Sequence, residues 1–322
     1  MKIGLFILLT ATGASFGASA AEPTPNLPPT EVVARVLRAN PTVQAASGQV
    51  RVEEANRNRL EAGPYEWNLR FGANQRRVYP SAGNDERYNE WNAQLERPLR
   101  LPGKSSADAE LGALGVSIAE TGQGDALHEA SRALLKTWFV WLKESAAASQ
   151  WSEQLTLLER QTKAVQRRQQ LGDAARLEAV QAEGALAQAE AQLAQARARQ
   201  TTASEDLRRR FPGLPLVEPT SIAEPQAIPG SESEWLEAIL EHSHELGVAR
   251  GETQRAQVIA GRAGNDRLPD PTVGVHMARE RGGEEHILGA YIAIPIPGGA
   301  RQAVASATLA EADVAHRREA AA

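Results

Sequence analysis

The chain of 322 residues contains no cysteine. That excludes a disulfide framework, and it excludes a thioether-linked lipid on the first residue of an exported form. Aromatic residues make up only 5% of the chain, while Ala, Gln, Glu and Arg are abundant, so the single large core of an enzyme is not expected. Basic residues do not exceed acidic ones (35 against 40, net charge −5). The one-signed basic patch needed to hold a phosphate backbone is missing, and nucleic acid is not expected as a partner. Long apolar runs are also scarce. The apolar run Ile3 to Leu9 is too short to span a bilayer. Behind Lys2 and ahead of Ala18-Ser19-Ala20 it reads instead as an export signal over 1–21, with cleavage after Ala20 or Ala21. An interfacial anchor is the alternative.

Proline is absent where it matters most. None of the 18 prolines lies between Lys104 and Arg210. Two glycine pairs, Gly112/Gly115 and Gly122/Gly124, are expected to interrupt the start of this stretch. The pattern predicts two long helices folded back on each other, turning at Leu171-Gly172-Asp173. Leu177, Val180, Gly184, Ala187, Ala191, Ala194 and Ala198 recur at spacings of three and four, which is a heptad seam. A second stripe runs through Leu186, Ala189, Leu193 and Ala196. Two stripes imply two neighbouring helices, and small seam residues let backbones approach closely. The arm before the turn carries Trp151, Leu155, Leu158, Thr162 and Val165 at the same spacings.

Upstream, 22–64 predicts N-terminal helices: one capped by Thr30, then one from Pro41 to Ala62 ended by Gly63-Pro64. Strict alternation follows. Tyr65, Trp67, Leu69, Phe71 and Ala73 point one way, and Glu66, Asn68, Arg70, Gly72 and Asn74 the other. That period of two marks a strand with one oily and one wet face. A loop over 78–87 leads to a second such strand with Trp91, Ala93 and Leu95 on its oily side. Together 65–101 reads as a β-hairpin, and 102–210 as the long helical hairpin. The segment 211–242 reads as an extended linker with one helix. The order then repeats. There is a helix over 243–268, a hairpin over 269–297 with Val273, Val275, Leu288, Ile292 and Ile294 on its oily side, and the start of another long helix over 298–322. Ile296-Pro297-Gly298-Gly299 answers Leu101-Pro102-Gly103-Lys104. An ordinary half-buried hairpin and a membrane-spanning one both fit these residues. Four strands cannot close a membrane barrel; if they span lipid, several copies must pool them.

The duplicated strand pairs, Pro-Gly after the second and fourth strands, Leu268-Pro269-Asp270-Pro271 before the third, and Leu171-Gly172-Asp173 followed by Leu177, Glu178 and Ala-rich heptads come in a telling order. In that order they resemble the TolC-type outer-membrane efflux channels, especially the branch serving metal and cation export. The resemblance covers nearly the whole mature sequence. It implies a mainly α fold: a long coiled-coil hairpin forming an α-barrel wall, with β-hairpins contributing to a trimeric 12-stranded transmembrane barrel. It implies an outer-membrane location with a periplasmic extension. The partners implied are two further copies, a periplasmic adaptor and, through it, an inner-membrane RND-type transporter. The adaptor-contact tip carries over to Leu171, Gly172 and Asp173. The lipid-facing residues carry over to Tyr65, Trp67, Leu69, Phe71, Trp91, Ala93, Leu95, Val273, Val275, Leu288, Ile292 and Ile294. Family members continue through a second helical hairpin; the sequence reads as truncated there, and a closed, gated tube is not expected of it alone. A periplasmic adaptor or a structural coiled-coil protein would also carry a helical hairpin, but without flanking amphipathic strand pairs.

No catalytic, cofactor or metal site is expected. His242 and His244, two apart, would point about 200° apart on one helix. The register that keeps the oily residues together puts His276 and His286 on opposite faces. No nucleophile elbow is present, and Gly298-Gly299 lacks the context of a phosphate loop.

Overall fold

The computed structural model describes residues 26–218, 227 and 229–322. The expected export signal and part of the expected linker lie outside the described residues. The elements in order are α1 (Thr30–Arg38), α2 (Pro41–Ala62), β1 (Asn68–Val78), β2 (Glu86–Pro98), α3 (Lys104–Gln170), α4 (Arg176–Arg210), α5 (Glu232–His242), α6 (His244–Asn265), β3 (Thr272–Glu280), β4 (Glu285–Ala293) and α7 (Gly299–Glu319). A short 3-10 turn, Arg281–Gly283, joins β3 to β4. The molecule is mainly helical with one small antiparallel sheet.

The 67 residues of α3 run unbroken, a length of about 100 Å at 1.5 Å per residue. The glycines expected to interrupt it do not. They sit where other helices come close. A Cβ on Gly112 would lie 2.9 Å from the Cα of Arg57 in α2, and one on Gly124 would lie 2.9 Å from the His244 ring in α6. The half of α3 near the sheet therefore packs between α2 and α6, and α7 packs on α6. The far half pairs with α4.

Of the two stripes on α4, the second faces α3: Ala189, Leu193 and Ala196 are buried. Thr162 Oγ1 donates to the Ala182 carbonyl at 3.2 Å, and Arg199 Nε meets Glu144 Oε2 at 3.0 Å across the pair. The first stripe is bare. Leu177 is 66% exposed, Val180 is exposed, and Gly184, Ala187, Ala191, Ala194 and Ala198 follow on the same open face.

The apolar core lies midway along α3. Leu134, Trp138, Trp141 and Leu142 meet Val36 and Leu37 of α1, Val43 of α2, and Leu207 near the end of α4. Phe211 and Leu214, expected to begin an extended linker, are instead buried in this core. Helix α1 also departs from expectation. Its cap is Pro29, whose carbonyl accepts from Val32 and Val33 N–H, and Thr30 is the first helical residue. Helix α2 starts as its sequence directs, with Asn40 Oδ1 accepting from Thr42 N–H at 2.9 Å and Pro41 in the first turn.

Candidate functional site

The strand order is β1-β2-β3-β4, every pair antiparallel. Directly opposed residues share a face of the sheet, so the register sorts the side chains. One row reads Leu69, Leu95, Val275, Ala290; the next reads Phe71, Ala93, Met277, Leu288. Towards the helices lie Arg97, Val273 and Ile292; towards the loops lie Ala73, Trp91, Arg279 and His286. Among the described residues nothing covers this apolar face: Phe71 is 72% exposed and Leu288 84%. Trp67 and Ile294 stand just outside the strands and are also exposed, with Arg97 over the Trp67 ring at 5.5 Å.

Tyr65 is the exception among the residues expected on this face. It precedes β1, and its hydroxyl donates to Asp270 Oδ2 at 2.8 Å while the Arg100 guanidinium sits 4.6 Å from its ring. A phenol with a carboxylate acceptor in reach satisfies its polar end there, which an apolar face could not do.

The opposite face is polar and internally bonded. Tyr291 hydroxyl donates to Glu96, Gln94 bonds to both Tyr291 and Glu96, and Asn68 Nδ2 donates to Glu96 Oε1 at 3.2 Å. Arg76 pairs with Glu90 at 3.1 Å and Glu280 at 2.8 Å. Two glycines on this face make room for flat-lying neighbours. A Cβ on Gly274 would lie 2.5 Å from the Tyr291 ring, and one on Gly289 would lie 2.3 Å from His276. The long side chains thus lie along the sheet instead of standing off it.

A charged cluster ties the sheet to the helices. Lys104, 1% exposed, opens α3 after the left-handed Gly103. Its Nζ donates to the Leu268 carbonyl at 2.7 Å and pairs with Asp270 Oδ1 at 2.9 Å and Asp266 Oδ1 at 3.1 Å. Asp270 also accepts from the Leu101 N–H at 3.0 Å. Arg262 of α6 donates to Asp108 of α3 at 2.7 Å and pairs with Asp266 at 2.6 Å. Burial pushes the Asp266 carboxyl up, but hydrogen bonds from Arg262 and Lys104 hold it below the ordinary carboxylate range. Arg262, which burial pushes down, is held above its ordinary value by Asp266 and Asp108. Nothing in the periodicity singled out Lys104. Its place beside Pro102-Gly103 was the only available signal.

At the far end of the molecule Leu171 caps α3 and Gly172 takes φ 85°. Gly172 N–H donates to the Gln169 carbonyl at 3.0 Å and Asp173 N–H to the Arg168 carbonyl at 2.8 Å. This pair of bonds is the Schellman ending, and its left-handed residue calls for glycine. Leu171, Gly172 and Asp173 are all exposed.

The histidines gather differently from expectation. Ser243 is extended and separates α5 from α6, so His242 and His244 do not share a helix. Both border one groove with His128, whose ring centroid is 6.2 Å from that of His244. Among the described residues no three metal-ligating side chains come together. His276 and His286 lie on opposite faces of the sheet, by the register.

No family profile and no curated protein matches the chain. Solved structures do. It is similar to CusC, a protein that forms a transmembrane channel (TM-score 0.69, 16% identity, 90% of this chain on 70% of that one). It is similar to the outer membrane protein VceC of Vibrio cholerae (0.67, 16%, 90% on 74%) and to the MtrE outer membrane channel of Neisseria gonorrhoeae (0.65, 16%, 90% on 68%). At these identities the likeness is one of fold.

Proposed function

We propose that this chain, which has the fold of the TolC-type outer-membrane channels, is one subunit of an exit duct that passes solutes across the outer membrane. The observation that carries the reading is the two-faced sheet. Among the described residues four strands present an uncovered apolar face on one side and a bonded polar face on the other, and both β1 and β4 are open edges. Lipid tolerates an apolar face but no open edge, so the strands must be completed by other copies. Three copies supply twelve strands, enough to close around a water-filled lumen. In that ring Trp67, Leu69, Phe71, Trp91, Ala93, Leu95, Val273, Val275, Leu288, Ile292 and Ile294 face lipid. The polar face lines the duct. The bare stripe of α4, from Leu177 to Ala198, packs on a neighbouring copy in a helical tube.

The lumen side favours cations. Glu86, Glu90, Glu96, Glu280 and Glu285 lie on it against Arg70 and Arg76, with Arg281 of the β3–β4 turn paired to Glu285 at 3.2 Å, so acidic groups still outnumber basic ones. Metal ions or small cationic toxins are therefore the cargo we favour, moving passively. The tip, Leu171, Gly172 and Asp173, is the docking point for a periplasmic adaptor, through which an inner-membrane RND-type transporter feeds the duct. Open space above Gly172 leaves the backbone accessible to a partner.

Membrane fractionation with chemical crosslinking tests the duct. The chain should stay in the outer-membrane pellet through carbonate extraction, and its crosslinked ladder should end at three. Release by carbonate, or a monomer with no higher band, refutes the reading.

A further inference from the structure

We propose that Arg77, Arg87 and Arg279, at the loop end of the apolar face, bind the phosphate groups of lipid headgroups. The inference rests on the membrane reading above and extends it to a specific headgroup contact.

The two faces of the sheet treat arginine differently. On the polar face each arginine has its carboxylate: Arg70 lies 3.9 Å from Glu96, and Arg76 is clasped by Glu90 and Glu280. On the apolar face the strands carry no acidic residue. Arg97, at the helix end, is accounted for by the Tyr65 carbonyl at 2.8 Å and the Trp67 ring. The three at the loop end have no ion-pair partner among the described residues. Arg77 and Arg87 are directly opposed in the ladder, and Arg279 is opposed to Trp91 on one side and His286 on the other. All three arginines are exposed. Like charges opposed across a ladder cost stability. An anion between them removes that cost and replaces it with charge-assisted, two-pronged bonds.

Position selects the anion. These arginines lie beyond the apolar rows, at the end of the sheet away from the helices. Arg87 is four residues past Trp91, about 13 Å along the strand. Strand tilt shortens that in height, which leaves the Arg77 and Arg87 guanidinium groups just outside the level of Trp91, while Arg279 shares the Trp91 row. The headgroup layer, and not hydrocarbon, lies at that level. Arg279 folds over the turn, where a Cβ on Gly283 would meet its guanidinium at 2.1 Å.

The test uses the full chain in phosphatidylcholine vesicles containing labelled diphosphoryl lipid A or its dephosphorylated form. Label retained per protein after detergent washing is measured. Retention of the phosphorylated form should exceed that of the dephosphorylated form roughly tenfold, and the triple variant Arg77→Gln, Arg87→Gln, Arg279→Gln should lose that excess. Arg132→Gln, on the exposed surface of α3, should keep it. Equal retention of the two lipids by an inserted wild-type chain overturns the proposal and leaves the duct reading standing. Failure of the wild-type chain to insert overturns both. If the triple variant does not insert, Arg87→Gln alone is read, and an unchanged lipid excess there overturns the proposal.

Discussion

Replacing Lys104 by methionine should loosen the join between sheet and helices. Methionine fills a similar volume, so the change isolates the charge. Three acceptors lose a donor: the Leu268 carbonyl, Asp270 and Asp266. Removing one partner of a buried pair typically costs about 3–5 kcal/mol, because the other charge is left stranded. Here the stranded groups are partly provided for. Asp270 keeps the Leu101 N–H and the Tyr65 hydroxyl, while Asp266 keeps Arg262 and is 42% exposed. The lower end, about 3 kcal/mol, is therefore expected, roughly a hundredfold in the folding equilibrium. Urea titration in detergent micelles measures it. Hydrogen exchange at the Leu101 amide, held by Asp270, gives a local readout. Adding Asp270→Asn to Lys104→Met should cost less than the sum of the two single changes, since the partners are in contact. A Lys104→Met midpoint equivalent to within about 0.5 kcal/mol of wild type, the range of a neutral surface change, refutes the reasoning.

Gly122→Ala should stabilise by up to about 1 kcal/mol in thermal unfolding, since nothing lies within 4 Å of the added methyl. Gly112→Ala on the same helix should destabilise by about 1–2 kcal/mol, because overpacking against the Arg57 backbone outweighs the propensity gain. Phe71→Arg should cost about 2–4 kcal/mol in lipid-refolded protein, whereas in a water-exposed sheet so open a site would change by less than about 0.5 kcal/mol. Asp266 and Glu144 both have folded values below their unfolded ones, Glu144 chiefly through the hydrogen bond from Arg199. Their contribution is thus present above the unfolded carboxylate range near pH 4 and lost as pH falls through the depressed folded values. The urea midpoint should drop on acidification there, and Asp266→Asn should flatten the drop.

The parts legible in the sequence are those set by a period. The alternation through Leu69, Phe71 and Ala73 placed one face of β1, and the structure's register continues that face across Trp91, Met277 and Leu288. The second stripe on α4 marked the side that α3 covers. What the sequence hid depends on contacts distant along the chain. Tyr65 fits the alternation, yet Asp270, 205 residues on, turns its hydroxyl inward. The glycines of α3 look like breaks from sequence alone, and only the arrival of α2 and α6 shows them as points of close approach. His242 and His244 diverge on a single helix, but Ser243 caps a second one and its backbone is extended. The strand ends moved as well: β1 and β2 run closer to the intervening loop than the oily alternation suggested, because the polar ladder from Gln75 to Val78 pairs just as well as the apolar one.

The duplicated units are not equivalent at their ends, and the difference shows where the chain is clamped. Lys104 follows the first Pro-Gly, and Gly299 occupies the matching place after the second. The acceptors of Lys104 come from the segment that enters the second strand pair, so the ion pairs join the exit of one unit to the entry of the next. At the exit of the second unit no such clamp forms among the described residues; Arg301 reaches back to the Asp266 carbonyl at 2.8 Å. In the proposed ring the two kinds of joint alternate. One is pinned by a buried ammonium group between two carboxylates, and the other depends on strand pairing at the β1 and β4 edges and on the small-residue stripe of α4. Ladder hydrogen bonds fix the strands against sliding, whereas a stripe of alanine and glycine offers close approach without a directional lock. In the proposed ring the helical part of the wall should therefore shift between copies at lower cost than the strand part, and the clamp at Lys104 would resist such a shift reaching the sheet within a copy.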